Sequence, residues 1–341
     1  MFRFFYKIFI FILMSFALNF SATAQVKIQF NDNLDLPDVQ NSNQTPCGTE
    51  IISIAAMAWP SAQILAHIHE QILKKEYECE TKIISGDLSA TISSMATTTQ
   101  PSIAIEVWIS RVWEMWNLAI ESQTLRRSSN SYSGSSLEGW YIPGFVSENH
   151  PDLKSSAQLK DYWRAFRDGG HKARFISCPK DWACSILNRN MLKSLGLYDK
   201  FEIIEPANRF EMDIMIGEIV SRRKPAIFYY WQPNAILTQF DFLQLEMGDY
   251  KQEAFTCLAK IHCTKLEYSA FANEPVVNVV VERVFSEAPK VAIYFRNASM
   301  PIDEMNKLLA WQSENSKSAK ETAIWFIEQN EEIWVKWLKE N

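Results

Sequence analysis

The sequence lacks the residue patterns that mark the common kinds of enzyme active site. Its 341 residues include only five histidines, so side chains suited to general base catalysis near neutral pH are scarce. It contains no G-x-S-x-G elbow, no H-E-x-x-H helix and no glycine-rich phosphate loop. These absences disfavour an enzyme, although an exported enzyme that uses buried carboxylates on a small metabolite stays open as an alternative.

Basic charge and long apolar stretches are also missing from most of the chain. The formal net charge is −6, whereas nucleic acids and anionic membrane surfaces bind basic patches. No stretch after residue 24 is apolar for long enough to span a membrane. Before it, Arg3 and Lys7 precede an apolar run that ends in Ala22-Thr23-Ala24. We therefore expect a signal peptide cleaved after Ala24 and export to the periplasm.

Cysteine is present in a number that suits disulfides. All six cysteines follow the expected cleavage site, and export allows disulfides to form. Two pairs are each separated by six residues and the third is left by elimination, which predicts three bridges: Cys178–Cys184, Cys257–Cys263 and Cys47–Cys79. A metal site is disfavoured because there is no C-x-x-C pair and few histidines lie nearby. Free thiols remain the other alternative.

Apolar strands alternate with helices in two consecutive blocks. The first block contains "EIISIAAMAW", "CETKIISG" and "SIAIEVW", and the second contains "ARFISC", "FEIIEP" and "AIFYYW". Continuous apolar strands separated by helices predict parallel sheets covered on both faces, in two α/β units. The later stretch "VVNVVVERV" fits a strand or a helix equally well.

Four of the twelve tryptophans stand where a predicted strand gives way to the next element. These four are Trp59, Trp108, Trp182 and Trp231. Ligands of open α/β sheets bind at the carboxyl ends of the strands, and two facing lobes would bring the four side chains together. Each could instead cap a hydrophobic core. The tryptophans on helical patterns are expected to pack, namely Trp113, Trp116, Trp163, Trp311, Trp325, Trp334 and Trp337.

A quaternary ammonium group suits a cluster of tryptophans. Its charge is spread over methyl groups, its nitrogen cannot donate a hydrogen bond, and it binds over electron-rich aromatic faces. Each desolvated contact contributes up to about 2 kcal/mol. A sugar would also stack on tryptophan, but it needs carboxylate and amide partners, in which these strand ends are poor.

The segment "SCPKDWACS" adds an anion site beside one of these tryptophans. Asp181 is a good helix N-cap residue, so the amides of Ala183 and Cys184 would point out of the first turn, where free amides bind anions. A bridge between Cys178 and Cys184 would hold the turn rigid and lower the ordering cost of binding. A zwitterion with a carboxylate and a methylated ammonium would match both groups.

At these residues the chain resembles a known family, the periplasmic glycine betaine/proline betaine-binding proteins of ABC transporters. "CPKDWAC" resembles the family's segment that ends in Trp-Gly-Cys, and "KPAIFYYWQP" resembles its Phe-Tyr-Tyr-Trp strand. "EVWIS" occupies the place of the first cage tryptophan, and "LEGWYIP" and "WFIEQNEEIWVKWL" also fit. The resemblance covers about residues 50–338.

The resemblance implies a two-lobed α/β binding protein in which each lobe is a mostly parallel sheet flanked by helices. A hinge would let the lobes close on the ligand. After an extended segment over residues 25–46, the first lobe would comprise residues 47–143 and 267–341, and the second residues 144–266. The implied ligand is a small quaternary amine, without a cofactor. The implied partners are the permease and ATPase subunits of an ABC importer, and the protein itself would be a monomer.

Site residues carry over by position in the matching segments. The ammonium cage would consist of Trp108, Trp182 and Trp231. The ligand carboxylate would bind the amides of Ala183 and Cys184. The bridge between Cys178 and Cys184 would be the disulfide found in the family.

The sequence departs from the family pattern close to these residues. Val112 stands where some members have a histidine, and Ala183 replaces a glycine. Arg111 could bind the carboxylate in place of that histidine, or it could be a solvated helix charge. Trp59 is added from its position at a strand end alone. Glu106, two residues before the first cage tryptophan, could be a counter-ion for a plain cation, but a structural pairing is the favoured interpretation.

The choice of ligand stays open at this point. The same scaffold could take choline or a cationic amino acid, and the amino acid would need acidic pocket residues instead of a helix N-terminus. Glycine betaine, proline betaine, carnitine and sulfonium analogues all present a methylated cation and a carboxylate, so the sequence does not rank them.

Overall fold

The computed structural model describes residues 28–30, 46–134, 137–180, 182–272 and 275–339. The predicted signal peptide with its cleavage site after Ala24, most of the predicted extended segment and the predicted N-cap residue Asp181 lie outside these ranges. Within them, no helix combines the length and the apolar composition needed to cross a membrane.

The strands of the described residues form two five-stranded sheets and one two-stranded ribbon. In chain order they are β1 (Ile52–Met57), β2 (Thr81–Gly86), β3 (Ile103–Trp108), β4 (Leu125–Asn130), β5 (Tyr132–Ser133), β6 (Glu138–Pro143), β7 (Ala173–Ile176), β8 (Phe201–Ile204), β9 (Ile227–Trp231), β10 (Phe242–Gln244), β11 (Val276–Val281) and β12 (Met300–Pro301).

Helices connect the strands and cover the sheets. In chain order they are α1 (Pro60–Tyr77), α2 (Leu88–Thr98), α3 (Trp113–Glu121), α4 (Gly144–Asn149), α5 (Leu159–Tyr162), α6 (Ala183–Ser194), α7 (Arg209–Ser221), α8 (Ile236–Gln239), α9 (Gln252–Leu258), α10 (Glu282–Glu287), α11 (Pro289–Asn297), α12 (Ile302–Glu314), α13 (Ala319–Gln329) and α14 (Glu331–Trp334). Short 3₁₀ turns occur at Ile109–Arg111, Ser156–Gln158, Trp163–Phe166, Tyr198–Lys200 and Val335–Leu338.

The first lobe is built on the sheet with strand order β2-β1-β3-β11-β4. β11 runs in the direction opposite to the other four strands. β1 and β3 are buried along their whole length, as strands covered by helices on both faces are. α1 begins with Pro60 at its first position, where the missing N–H has no intrahelical partner to lose, and it packs against α13.

The second lobe is built on the sheet with strand order β10-β6-β9-β7-β8. β6 runs in the direction opposite to the other four strands. Its core is aromatic, and the ring of Trp140 meets that of Phe175 edge-on with the centroids 5.0 Å apart. The buried indole N–H of Trp140 donates to Oδ1 of Asn188 at 2.8 Å, which holds α6 against the sheet.

The sheets correct both predicted lobe boundaries. β6 is buried inside the second sheet, where Glu138 lies opposite Trp231, so the first crossing precedes Glu138 and does not follow residue 143. Tyr268, Ala270 and Phe271 pack in the core of the second lobe, so the return crossing lies after Phe271 and not after residue 266. At both boundaries, apolar residues that the predicted bounds assign to the first lobe are buried in the second lobe.

Both antiparallel strands begin at the edge of a sheet where the parallel strands end. Glu138, the first residue of β6, lies opposite Trp231 at the end of β9. Val276, the first residue of β11, lies opposite Trp108 at the end of β3. Four residues separate Ser133 in β5 from Glu138, and such a segment spans at most about 17 Å. The carboxyl edges of the two sheets are therefore held near each other.

A buried asparagine joins the lobes beside these edges. Asn306 of α12, in the first lobe, accepts a hydrogen bond from the amide of Asn234 at 2.6 Å. Its side-chain amide donates to Oε1 of Gln232 at 2.7 Å. Gln232 and Asn234 belong to the loop after β9 in the second lobe, and all three side chains are buried. Because buried polar groups need partners, this contact fixes the end of β9 relative to α12.

All three predicted disulfides are formed: Cys47–Cys79, Cys178–Cys184 and Cys257–Cys263. The first joins the segment before β1 to the residue between α1 and β2, across a sequence separation of 32. The other two each close a separation of six residues. The second disulfide links the end of β7 to the start of α6.

Replacing both Cys47 and Cys79 with serine should lower the free energy of unfolding more than replacing both Cys257 and Cys263. Loop-closure entropy predicts about 4 kcal/mol for the longer separation and about 2 kcal/mol for the shorter one. Guanidinium unfolding of each double variant beside the parent, in non-reducing buffer, measures the two losses. A larger loss for the Cys257 and Cys263 variant would contradict the loop-length explanation.

Candidate functional site

Trp182 and Trp231 form one half of the candidate site, at the carboxyl edge of the second sheet. Their ring centroids are 5.4 Å apart and the ring planes meet at 60°. Trp231 ends β9 and stacks on Tyr230 with the centroids 4.6 Å apart, while Trp182 is 37% exposed. An aromatic pair that is braced on one side and open on the other can hold a cationic or apolar group.

The helix beside this pair begins one residue later than the sequence predicts. Trp182 is itself the N-cap residue, with an extended backbone (φ −87°, ψ 146°), and α6 begins at Ala183. The Trp182 side chain makes no capping hydrogen bond, so among the described residues the amides of Ala183 and Cys184, the first two helical residues, are left for another acceptor. The disulfide from Cys178 to Cys184 anchors this turn.

Trp59 and Trp108 form the other half, at the carboxyl edge of the first sheet. Both indole N–H groups donate to the same oxygen, Oε1 of Glu106, at 2.9 and 3.4 Å. Trp59 directly precedes α1, and Trp108 ends β3. The structure therefore brings Trp59 beside the first predicted cage residue, through a shared partner that no local pattern reveals.

Glu106 is the centre of this half. Besides the two indoles, the hydroxyl of Ser61 donates to Oε1 at 3.0 Å and the hydroxyl of Tyr132 donates to Oε2 at 2.6 Å. Glu106 is 1% exposed, and burial raises the pKa of its carboxyl to about 7, although the four hydrogen bonds oppose that rise. The favoured structural interpretation of Glu106 agrees with these contacts.

A bulge in β3 turns Glu106 toward these donors. Its φ of 58° lies in the left-handed region, which is uncommon for a residue with a side chain. The register against β11 shifts between Val277 and Val279, and the amide of Glu106 donates to Oγ of Ser131 at 3.1 Å. A bulge re-aims a side chain. Glu106 therefore meets the Trp108 indole because of the bulge, and not because side chains two residues apart on a regular strand share a face.

Arg111 packs on the first-lobe half of the site. Its guanidinium carbon is 4.7 Å from the ring centroid of Trp108, which is 7% exposed. Across the lobes, burial and the neighbouring Glu138 raise the pKa of Tyr229 well above its usual range, and the positive charge of Arg111 opposes this rise. Arg111 therefore lies within electrostatic range of a residue of the second lobe.

Sequence patterns miss three residues of this arrangement: Ser61, Tyr132 and Tyr230. Ser61 and Tyr132 take part only through Glu106, and they come from two different elements, so no spacing connects them. The sequence does contain a signal for Tyr230, which stands directly before Trp231 in "IFYYW". Of the predicted anion site, Ala183 is exposed and Cys184 is half-buried.

Comparison with known proteins agrees with this architecture. A family model described as the substrate-binding domain of ABC-type glycine betaine transport systems matches residues 50–329. The comparison with curated proteins gives no match.

Solved structures resemble the chain over most of its length. The glycine betaine, L-proline-binding protein ProX from Borrelia burgdorferi is 15% identical, with 85% of this chain and 97% of that chain covered and a TM-score of 0.52. Lactococcal OpuAC in complex with glycine betaine is 15% identical, with 85% and 100% covered and a TM-score of 0.53. An ABC-transporter choline-binding protein in complex with choline is 15% identical, with 86% and 92% covered and a TM-score of 0.51. These likenesses confirm the predicted two-lobed α/β fold.

Glu106→Gln should change the way in which stability depends on pH. The pKa of Glu106 is about 7 in the folded chain against an ordinary value of 4.5, so between these values the folded chain binds more protons than the unfolded chain. The stability of the parent relative to the variant should therefore fall as pH rises from 4.5 to 7, by up to about 3 kcal/mol. Denaturant unfolding of both proteins across this range measures the difference, and a constant difference would rule out the raised pKa.

Proposed function

The chain belongs to the family of substrate-binding domains of ABC-type glycine betaine transport systems, and we propose that it captures glycine betaine or a close zwitterionic analogue between its two lobes. Proteins of this family bind substrate for importers outside the cytoplasm and are not enzymes. The observation that carries the proposal is the aromatic pair of Trp182 and Trp231 directly beside an open helix N-terminus.

The cationic head would lie among tryptophan rings from both lobes. Trp182 and Trp231 would contact its methyl groups from the second lobe, and Trp108 from the first. The short crossings limit the gap between the two sheet edges, and closure of the lobes would bring both sets of rings onto one small ligand. Each desolvated cation–π contact contributes up to about 2 kcal/mol, and the methyl groups add apolar burial.

The carboxylate would bind at the start of α6. The amides of Ala183 and Cys184 lie in the first turn of this 12-residue helix, where the helix dipole favours an anion. Arg111 is the second carboxylate partner in this proposal. It now covers a face of Trp108, and it would leave that face when the ammonium group arrives there.

Export and delivery complete the proposed role. We infer that the protein is exported to the periplasm with cleavage after Ala24 and works there as a monomer. It would deliver its ligand to the permease and ATPase subunits of an ABC importer, the partners that membership of this family implies. Mass spectrometry of the mature N-terminus tests the cleavage site.

Choline is the second candidate ligand. One observation favours it, because Glu106 is a carboxylate in the half of the site that would face a cation. Choline has the same methylated head as glycine betaine and a hydroxyl in place of the carboxylate, so it would leave the amides of α6 unused. A comparison of the two ligands therefore isolates the contribution of the anion site.

Alanine at Trp108, Trp182 or Trp231 should weaken the binding of glycine betaine by about 1–3 kcal/mol, because each change removes a cation–π contact and apolar burial. Phenylalanine at the same positions should weaken it less. Calorimetric titration measures the affinities. Trp311→Ala is the matched control, since that ring stacks on Trp325 with the centroids 4.5 Å apart and lies outside the proposed site. Unchanged affinity in all three alanine variants would refute the cage.

Glycine betaine should bind at least about tenfold more tightly than choline, which corresponds to 1.4 kcal/mol, because a charge-assisted hydrogen bond contributes roughly 1.5–3 kcal/mol. Ala183→Pro should reduce this preference while leaving choline binding unchanged. Proline removes the amide N–H yet suits the first position of a helix, and the extended backbone of Trp182 suits the residue before a proline.

Ala183→Gly is the matched control for the anion site, because glycine keeps the amide. It should retain the parent's preference for glycine betaine. Equal affinity of the parent for the two ligands, or a preference for choline, would contradict the anion site. Both variants should be compared with the parent in thermal unfolding, so that a lost preference is not confused with a loosened helix.

A further inference from the structure

Glu106 places a negative charge in a position where ordinary packing would not keep one. It is 1% exposed, and desolvating a carboxylate is unfavourable unless a cation or several donors compensate it. Its backbone is in the left-handed region, and strain of this kind is found preferentially at binding sites and switch regions. Both the burial and the strain are maintained at the end of the strand that carries Trp108.

The hydrogen bonds connect this charge to two aromatic rings. The indole N–H groups of Trp59 and Trp108 both donate to Oε1 of Glu106. An indole that donates to an ionised carboxylate is polarised by it, so its ring face becomes more negative and attracts a cation more strongly. A cation over either ring would also feel the carboxylate directly, through a poorly screening interior.

We propose that Glu106 is a positioning and specificity-determining residue whose ionised carboxylate orients Trp59 and Trp108 and makes their faces a cation site, so that ligand binding is coupled to the loss of a proton from Glu106. This inference rests on the proposed function, since it takes a cation in this half of the site as given.

The groups that contact Glu106 do not themselves gain or lose a proton near neutral pH. Ser61 from α1 and Tyr132 from β5 donate to it as neutral hydroxyls, and burial raises the pKa of Tyr132 well above its usual range. From β11, the uncharged Asn278 reaches the bulge through Ser131. Within the described ranges, no cationic side chain contributes to the pKa of Glu106.

Arg111 is the charged group next to this cluster, over the ring of Trp108. Arg111 does not contribute to the pKa of Glu106, whereas an ammonium group bound over Trp59 or Trp108 would act on the carboxylate directly. It would favour the ionised carboxylate and lower the pKa of Glu106 from about 7. The ligand carboxylate does not titrate in this range, so any proton released near neutral pH comes from the protein.

The sign of the pH dependence follows directly. Binding releases a proton wherever the free protein still carries it, so the affinity for glycine betaine rises with pH up to about 7 and then levels off. At pH 6 the affinity should be up to about tenfold lower than at pH 8, because one pH unit below the pKa leaves about one molecule in ten ionised.

Calorimetric titration of the mature protein with glycine betaine tests the coupling. Titrations at pH 6, 7 and 8, each in two buffers of different ionisation enthalpy, give the affinity and the number of protons released. The parent should release up to one proton at pH 6 and almost none at pH 8. Glu106→Gln should release none, and its affinity should not change with pH.

Two further variants make the result specific. Tyr132→Phe removes a hydrogen bond that lowers the pKa of Glu106, so the midpoint of the affinity profile should move to higher pH, which a merely structural role would not produce. Glu70→Gln is the matched control. Glu70 is a buried carboxylate of the same lobe that bonds Lys74 and His67, and its loss should leave the proton release intact.

The outcomes separate this inference from the proposed function. Tight binding by the parent that neither changes between pH 6 and 8 nor releases a proton overturns the coupling alone. No binding of glycine betaine or choline at any pH overturns the proposed function, and this inference with it. The measurement on the parent needs no variant, so a Glu106→Gln protein that fails to fold does not affect it.

Discussion

The short crossings between the lobes are the constraint on which the site depends. β6 and β11 run against their neighbours because each enters its sheet from the other lobe, opposite Trp231 and Trp108 respectively. Each pair of tryptophans thereby lies at a sheet edge that the crossings join to the edge of the other lobe. The buried contact of Asn306 with the loop after β9 adds a second fixed point. A motion that opens the site has to turn about these connections.

Local patterns predict the parts of this fold that depend on local forces. Alternating apolar strands and helices indicate both parallel sheets, and cysteine spacing indicates the disulfides. The strands that enter each sheet from the other lobe are harder to predict. A uniformly apolar run such as "VVNVVVERV" has no hydrophobic period that distinguishes a strand from a helix. The predicted lobe boundary after residue 143 assigns β6 to the first lobe, but the strand lies within the second sheet because its pairing partner comes from β9, far along the chain.

Strand-end patterns indicate the tryptophans of the first-lobe half, but not the way in which Glu106 joins them. Glu106 meets its donors only because a bulge re-aims it, and the donors come from the start of α1, the end of β3 and β5. Whether a glutamate takes a left-handed backbone is decided by the pairing of β11 and by Ser131, not by its neighbours in the chain. In the second-lobe half, Trp182 and Trp231 follow motifs, and there only the start of α6 was displaced, by one residue.

In the proposed site the two halves favour opposite charges, and this difference would fix which end of the ligand faces which lobe. The second lobe offers amide donors at the start of α6, which suit an anion, while the first lobe holds the carboxylate of Glu106 behind two indoles. A zwitterion lying across the cleft satisfies both lobes at once, whereas a ligand with one charge satisfies only one of them. In the proposed mode, closure would add most binding energy for the ligand whose two charges span the gap, and selectivity would arise from the pairing of the lobes more than from either half alone.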